Sequence, residues 1–242
     1  KQKFSVTLEG YYKEMDNIIA YKEGASFLAI EDNVDDGSIQ SISWEENITS
    51  GKGTSYGGEL LLQKKQGRLN GWAGYTLSWT KQQFPELNGG KEFFARYDRR
   101  HDISVVLIYE IKENITLSGT WVYGTGNAIT LPISSYKLGD VTSNASVSRW
   151  FDYTNYGTEY TERNGFRMEA YHRADIGLQI SKPKKHGIRT WEFSAYNMYN
   201  RRNPFFYYIG NERLFDDTSR QVLKKVSIFP ILPSVSWNYK FN

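Results

Sequence analysis

Every long run in this chain alternates between two kinds of side chain. In the last run, Val235, Trp237, Tyr239 and Phe241 fall on one side, and Ser234, Ser236, Asn238 and Lys240 fall on the other. Strand side chains alternate with period two, so each such run reads as a strand with one apolar and one wet face. The runs are joined alternately by very short turns and very long polar loops. That combination is the pattern of an antiparallel transmembrane β-barrel wall, with all-β architecture and neighbouring strands running up and down.

About eight strands follow from alternation and turn signals. They cover Lys3 to Tyr21, Ser55 to Lys65, Gly71 to Gln82, Asp102 to Lys112, Ile115 to Tyr123, Arg173 to Ser181, Thr190 to Asn200, and Lys225 to Phe241. Pro230 and Pro233 interrupt the last, as suits a bulge or an edge. Tight turns at 66–70, 113–114 and 182–186 lie on one rim. The long connections, Glu23 to Gly53, Phe84 to Arg99, Leu131 to His172 and Phe205 to Gln221, lie on the other. The inward positions are often small, as at Gly74, Ser78, Ser104, Ser118, Gly177 and Ser194. Small residues underfill a narrow eight-stranded barrel but suit a wall lining a plug or channel.

Aromatic residues make up 16% of the 242 residues, yet hydrophobic residues total only 39%, and mean hydropathy is -0.60. No stretch approaches the roughly 18 consecutive apolar residues that a spanning helix needs. A barrel wall needs lipid-compatible side chains only on alternate residues, so this average is compatible with insertion. Thirty basic against 27 acidic residues, without long runs of one sign, leave no nucleic-acid footprint. The absence of cysteine excludes disulfides and thiolate metal sites.

The segments Tyr56-Gly57-Gly58-Glu59-Leu60-Leu61-Leu62 and Gly71-Trp72-Ala73-Gly74-Tyr75-Thr76-Leu77-Ser78 resemble the C-terminal barrel of TonB-dependent outer-membrane receptors. Phe84-Pro85-Glu86-Leu87-Asn88-Gly89-Gly90, Tyr97-Asp98-Arg99-Arg100-His101-Asp102 and Tyr196 to Phe206 resemble the Bacteroidetes type more specifically. The resemblance spans nearly the whole chain. It implies a barrel of about 22 strands around an N-terminal plug and localisation to the bacterial outer membrane. It also implies uptake of a siderophore, glycan or peptide, energised by an inner-membrane TonB complex. Residues 1–242 would then be a C-terminal barrel segment, with the plug outside this chain. The expected partners are the remaining barrel and plug, the TonB complex, lipid, lipopolysaccharide and an extracellular nutrient. The alternative is a self-closed eight-stranded barrel with an adhesive or structural role.

Trp79, Trp121, Tyr123, Trp191, Trp237 and Tyr239 are candidates for aromatic girdles at the lipid boundary; a soluble β-sandwich core is the bland reading. The long third loop offers the ligand-contact candidates Arg149, Trp150, Phe151, Tyr153, Tyr156, Tyr160, Arg163 and Arg167. These suit stacking on, and hydrogen bonding to, a sugar, peptide or chelator, although packing between loops explains them equally. The inward charges Glu9, Glu59, Asp102, Glu110, Asp175, Glu192, Arg173 and Lys240 suit either plug contacts or cross-strand ion pairs. Tyr97 to Arg100 places basic groups at the loop rim, for lipopolysaccharide phosphates or neighbouring carboxylates. Glu31, Asp32, Asp35 and Asp36 lack EF-hand order and read as a solvated acidic loop. His101, His172 and His186 sit in no HExxH motif, and there is no GxSxG elbow. No catalytic residue, metal or cofactor is therefore expected; an outer-membrane hydrolase would need a Ser–His contact assembled by folding.

Overall fold

The computed structural model describes residues 3–23, 30–32, 39–41, 44–137, 156–160, 162–213 and 219–241. Eight long strands form the main sheet among the described residues. They are β1 (Phe4–Tyr21), β2 (Ile48–Lys64), β3 (Leu69–Gln83), β4 (His101–Lys112), β5 (Ile115–Gly124), β6 (Tyr171–Lys184), β7 (Gly187–Tyr196) and β8 (Leu232–Phe241). Each pairs antiparallel with its chain neighbours, so the sheet is an up-and-down meander from β1 to β8. Phe93–Phe94 adds a short ninth strand beside the loop end of β3.

Several boundaries differ from the sequence reading. The expected turn at 182–186 shrinks because β6 pairs with β7 as far as Lys184 with Gly187, and β7 runs from Gly187 to Tyr196 and not from Thr190 to Asn200. Strand β2 begins at Ile48, because β1 continues past a bulge between Met15 and Ile18 and pairs as far as Tyr21 with Ile48. The polar, glycine-containing segment Thr49 to Gly53 reads as loop until that long partner is present. Lys225 does not belong to the last wall strand. Ser219–Val226 pairs instead with Phe206–Arg213 in a separate hairpin, and the wall strand starts at Leu232 beyond Pro230.

The short turns bring backbones into close approach. A β-carbon on Gly71 would stand 2.1 Å from the Val106 carbonyl oxygen, and one on Gly187 would stand 2.1 Å from that of Lys240. Both residues follow a short turn with positive φ, 147° and 156°, which only glycine adopts readily.

Register joins the alternate residues of all eight strands into two faces. Leu8, Leu60, Tyr75, Ile103, Tyr123 and His172 stand opposite one another in succession. Nearer the turn rim, Tyr109, Leu117, Leu178, Phe193 and Val235 form a second row of the same face. The other face carries rows such as Ser118, Gly177, Ser194 and Ser234. It is mostly polar, with apolar exceptions that include Leu61, Trp72, Val106, Ile108, Val122, Ile188 and Leu232.

Little covers the apolar face. Leu8 is 79% exposed, Val235 61% and Trp237 54%. Among the described residues the buried hydrophobic side chains are Phe84, Leu87, Phe93 and Ala128. The first three form a small core with Ile18 and Ala20. The bulge, with Asn17 at φ 57°, reverses the parity of β1 and so places these two residues on the polar face. The connection 84–100 therefore folds over the loop end of the polar face.

Candidate functional site: the two faces and the loop rim

The aromatic residues of the apolar face gather in two bands. Toward the loop rim, the Tyr56 ring stacks on Tyr12 at 6.4 Å and on Trp79 at 5.3 Å. Further along, Tyr123 stacks between Trp121 at 6.2 Å and His172 at 6.4 Å. At the turn rim, Trp191 lies opposite Trp237, and Tyr239 meets Phe241 at 4.8 Å. The six expected girdle residues thus share one face and divide three and three between its ends. Two histidines that sequence reasoning left aside, His101 and His172, join the band nearer the loop rim. Each sits at an apolar-face position, and each ring Nδ1 contacts a tyrosine hydroxyl: Tyr75 at 2.9 Å and Tyr199 at 2.8 Å.

The charges expected to point inward all lie on the polar face, and they differ in their partners; Glu110, Glu192 and Lys240 form no ion pair among the described residues. Arg173 pairs with Asp175 at 2.9 Å and donates to the hydroxyls of Tyr196 at 2.7 Å and Tyr171 at 3.1 Å. Asp102 pairs with Arg99 at 3.3 Å. Glu9 and Glu59, in contrast, are directly opposite each other across β1 and β2. Both are exposed, and neither has an ion-pair partner among the described residues. Like charges placed directly opposite on adjacent strands are destabilising. The facing carboxylates leave this part of the polar face with negative charge that no described side chain neutralises.

The loop rim is held by a buried carboxylate. Asp98, 1% exposed, accepts the Thr80 backbone N–H at 2.6 Å and a hydrogen bond from Arg167, with Arg100 at 3.6 Å. The Arg100 guanidinium lies 4.4 Å from the Trp79 ring centre, and that of Arg167 lies 5.0 Å from Phe94. Arg163 stacks on Phe93 at 5.5 Å, and its backbone N–H donates to Asn88 at 2.9 Å. Of the two readings of Tyr97 to Arg100, the contacts formed are those with neighbouring carboxylates.

The segment Tyr196 to Phe206 gains a structural account. Buried Asn197 donates to the carbonyls of Arg201 at 2.9 Å and Phe229 at 3.0 Å and accepts the Arg201 N–H at 2.9 Å. Asn200 accepts the Ile231 N–H at 3.1 Å. Asn203 exchanges two bonds with the His172 backbone, at 3.0 and 2.8 Å. Three asparagines thus satisfy backbone groups where β7 leaves the sheet, as short amide side chains do in turns.

Of the ligand-contact candidates, Arg163 and Arg167 are brought together in the packed rim, and Tyr160 is exposed. Tyr156 lies in the strand Tyr156–Tyr160, paired with Pro132–Lys137. Arg149, Trp150, Phe151 and Tyr153 lie outside the described residues, as do Asp35 and Asp36. Glu31 and Asp32 fall in a short strand paired with Ile39–Ser41. Among the described residues no group of three or more acidic or histidine side chains is placed to hold a metal ion. Compared with known proteins, the chain matches no family model and no curated protein.

One rim contact makes a pH prediction. Glu169 accepts a hydrogen bond from Lys225 at 2.7 Å and has Arg201 at 3.8 Å. The hydrogen bond from Lys225 holds its carboxyl below the usual range. Because the folded value is depressed, the contact stabilises fully above the ordinary glutamate range and is lost as pH falls through the folded value. The 206–226 hairpin should therefore loosen in acid. At pH 6, Glu169→Gln should raise its hydrogen-exchange rate about twofold to fivefold, as for a partly exposed pair. Unchanged exchange would show that packing alone holds the hairpin.

Proposed function

We propose that this chain is part of the wall of a TonB-dependent outer-membrane receptor of the Bacteroidetes type, whose parent takes up a scarce nutrient such as a siderophore, glycan or peptide. The observation that carries this reading is the uncovered apolar face. A soluble sandwich would cover that face with a second sheet, whereas lipid covers it without one. The band spacing supports the same reading. From His172 to the row of Lys182, Arg189 and Tyr239 is ten residues, about 33 Å along the strand. At a tilt of about 40° that is about 25 Å of height, the extent of an outer-membrane apolar band.

The sheet edges favour a larger barrel over a self-closed one. Among the described residues β1 pairs only with β2, and β8 only with β7. Long unpaired edges rich in exposed apolar residues are avoided in stable folds, so further strands are the natural neighbours. A basic side chain from a plug is the natural counter-charge for Glu9 and Glu59 across the polar face. Cells lacking the parent gene should lose growth on one class of scarce nutrient, and the intact gene should restore it only while the proton-motive force is maintained. Uptake that persists after the force is collapsed would exclude an energised receptor.

A further inference from the structure

Charge is distributed unequally between the rims. The described ion pairs gather at the loop rim, including Lys22 with Glu86, Lys81 with Glu92, Arg167 with Asp98 and Lys225 with Glu169. The turn rim has cations without such partners. Lys64, Lys65 and Arg68 flank the turn between β2 and β3, Lys182 and Lys184 lie in the last residues of β6, and Lys185 opens the turn into β7. Only Glu110 and Glu113 oppose them along this rim, and no carboxylate lies within ion-pair distance of any of the six among the described residues.

Their position matters as much as their number. Register places Lys64, Lys182 and Arg189 on the apolar face, at its lower edge. The Lys64 ammonium lies 5.9 Å from the Phe4 ring centre. Arg189 stands opposite Tyr239, and its buried Nε has no hydrogen-bond partner. The collar adjoins the band of Trp191, Trp237, Tyr239 and Phe241. Aromatic rings edged by lysine and arginine form the side-chain profile of a lipid headgroup boundary, where long basic side chains extend from apolar surface to phosphate.

We infer that the turn rim is an anionic-phospholipid collar, binding headgroup phosphates of the leaflet that surrounds it. The inference rests on the proposed membrane wall and adds a lipid preference and the segments that read it. Lys64 donates to the Leu69 carbonyl at 2.6 Å, but none of these cations has a carboxylate partner among the described residues. Held at one level against an apolar band, they match a plane of anions, and guanidinium and ammonium groups both bind phosphate strongly.

The test uses the protein in neutral detergent micelles. It is titrated with phosphatidylglycerol or phosphatidylcholine bearing brominated acyl chains, with tryptophan quenching as the readout. At about 20 mM salt phosphatidylglycerol should be preferred about fivefold or more, falling below about twofold at about 500 mM as screening shortens the reach of each charge. The triple variant Lys182→Gln, Lys184→Gln, Lys185→Gln should lose most of the preference. The salt dependence of the unaltered protein decides the matter even where that variant misfolds. Equal affinity for the two lipids at low salt overturns the collar while leaving the wall intact. Quenching by neither lipid overturns the membrane reading itself.

Discussion

Replacing Asp98 with alanine is expected to destabilise the loop rim by about 3 kcal/mol, the lower part of the range for breaking a buried ion pair from one side. The carboxylate is fully buried, whereas Arg100 and Arg167 retain 21% and 30% side-chain exposure, so water relieves part of the charge left behind. The Thr80 N–H would also lose its acceptor. Because Asp98 ties segment 84–100 to residue 167, both segments should become protease-sensitive together, with the wall strands still protected. Asp98→Asn should fall between the two, since it keeps a hydrogen-bonding oxygen without the charge. Parallel cleavage kinetics for the alanine variant and the unaltered protein would show that the apolar cluster of Phe84, Leu87 and Phe93 holds the loop unaided.

A charge in the middle of the apolar face is expected to cost as much for a different reason. Ile176 lies midway between the two aromatic bands and is 37% exposed in the chain alone. In the proposed membrane wall an arginine there would enter the centre of the hydrocarbon layer, at about 2–4 kcal/mol. Ile176→Arg should therefore lower the membrane-integrated, heat-modifiable fraction by at least tenfold, whereas Gln179→Arg on the polar face should leave it nearly unchanged. The contrast is informative because solvent-facing positions of a soluble sheet tolerate such changes within about 0.5 kcal/mol. Equal recovery of both variants would mean that Ile176 faces water.

The wall was legible because its signal is repeated. Each strand carries several same-face apolar residues, and a one-residue slip would move all of them to the other face. The faces read from Phe4 to Tyr12 and from Val235 to Phe241 accordingly match the observed register. Less was legible where tertiary pairing overrides local pattern. The upper half of β2 is polar and acquires strand structure from its partner in β1. Lys225 continues an alternating run, yet Pro230 breaks it and the preceding residues turn back into a hairpin.

The site was legible in part. That Trp79, Trp121, Tyr123, Trp191, Trp237 and Tyr239 share one face follows from parity, but their division into two bands depends on how the strands are staggered. Arg163 and Arg167 read as ligand contacts because nothing in the sequence announces Asp98 and Phe93 as their neighbours. The opposition of Glu9 and Glu59 required the register of β1 against β2, although the type and parity of each residue were visible. The imbalance between the rims was present in the sequence, but it became apparent only when cations already paired at the loop rim were separated from those that are not.

In the proposed membrane wall one face of the sheet contacts lipid and the other does not. The chain has no cysteine, so single cysteines introduced at successive positions 103 to 109 of β4 and spin-labelled in this chain in membranes report that contact without background from its own residues. Collision with dissolved oxygen should peak at 103, 105, 107 and 109 and fall at 104, 106 and 108, with the opposite pattern for a water-soluble nickel chelate. Uniform access of the chelate to all seven positions, or an oxygen profile without the two-residue period, would contradict the account.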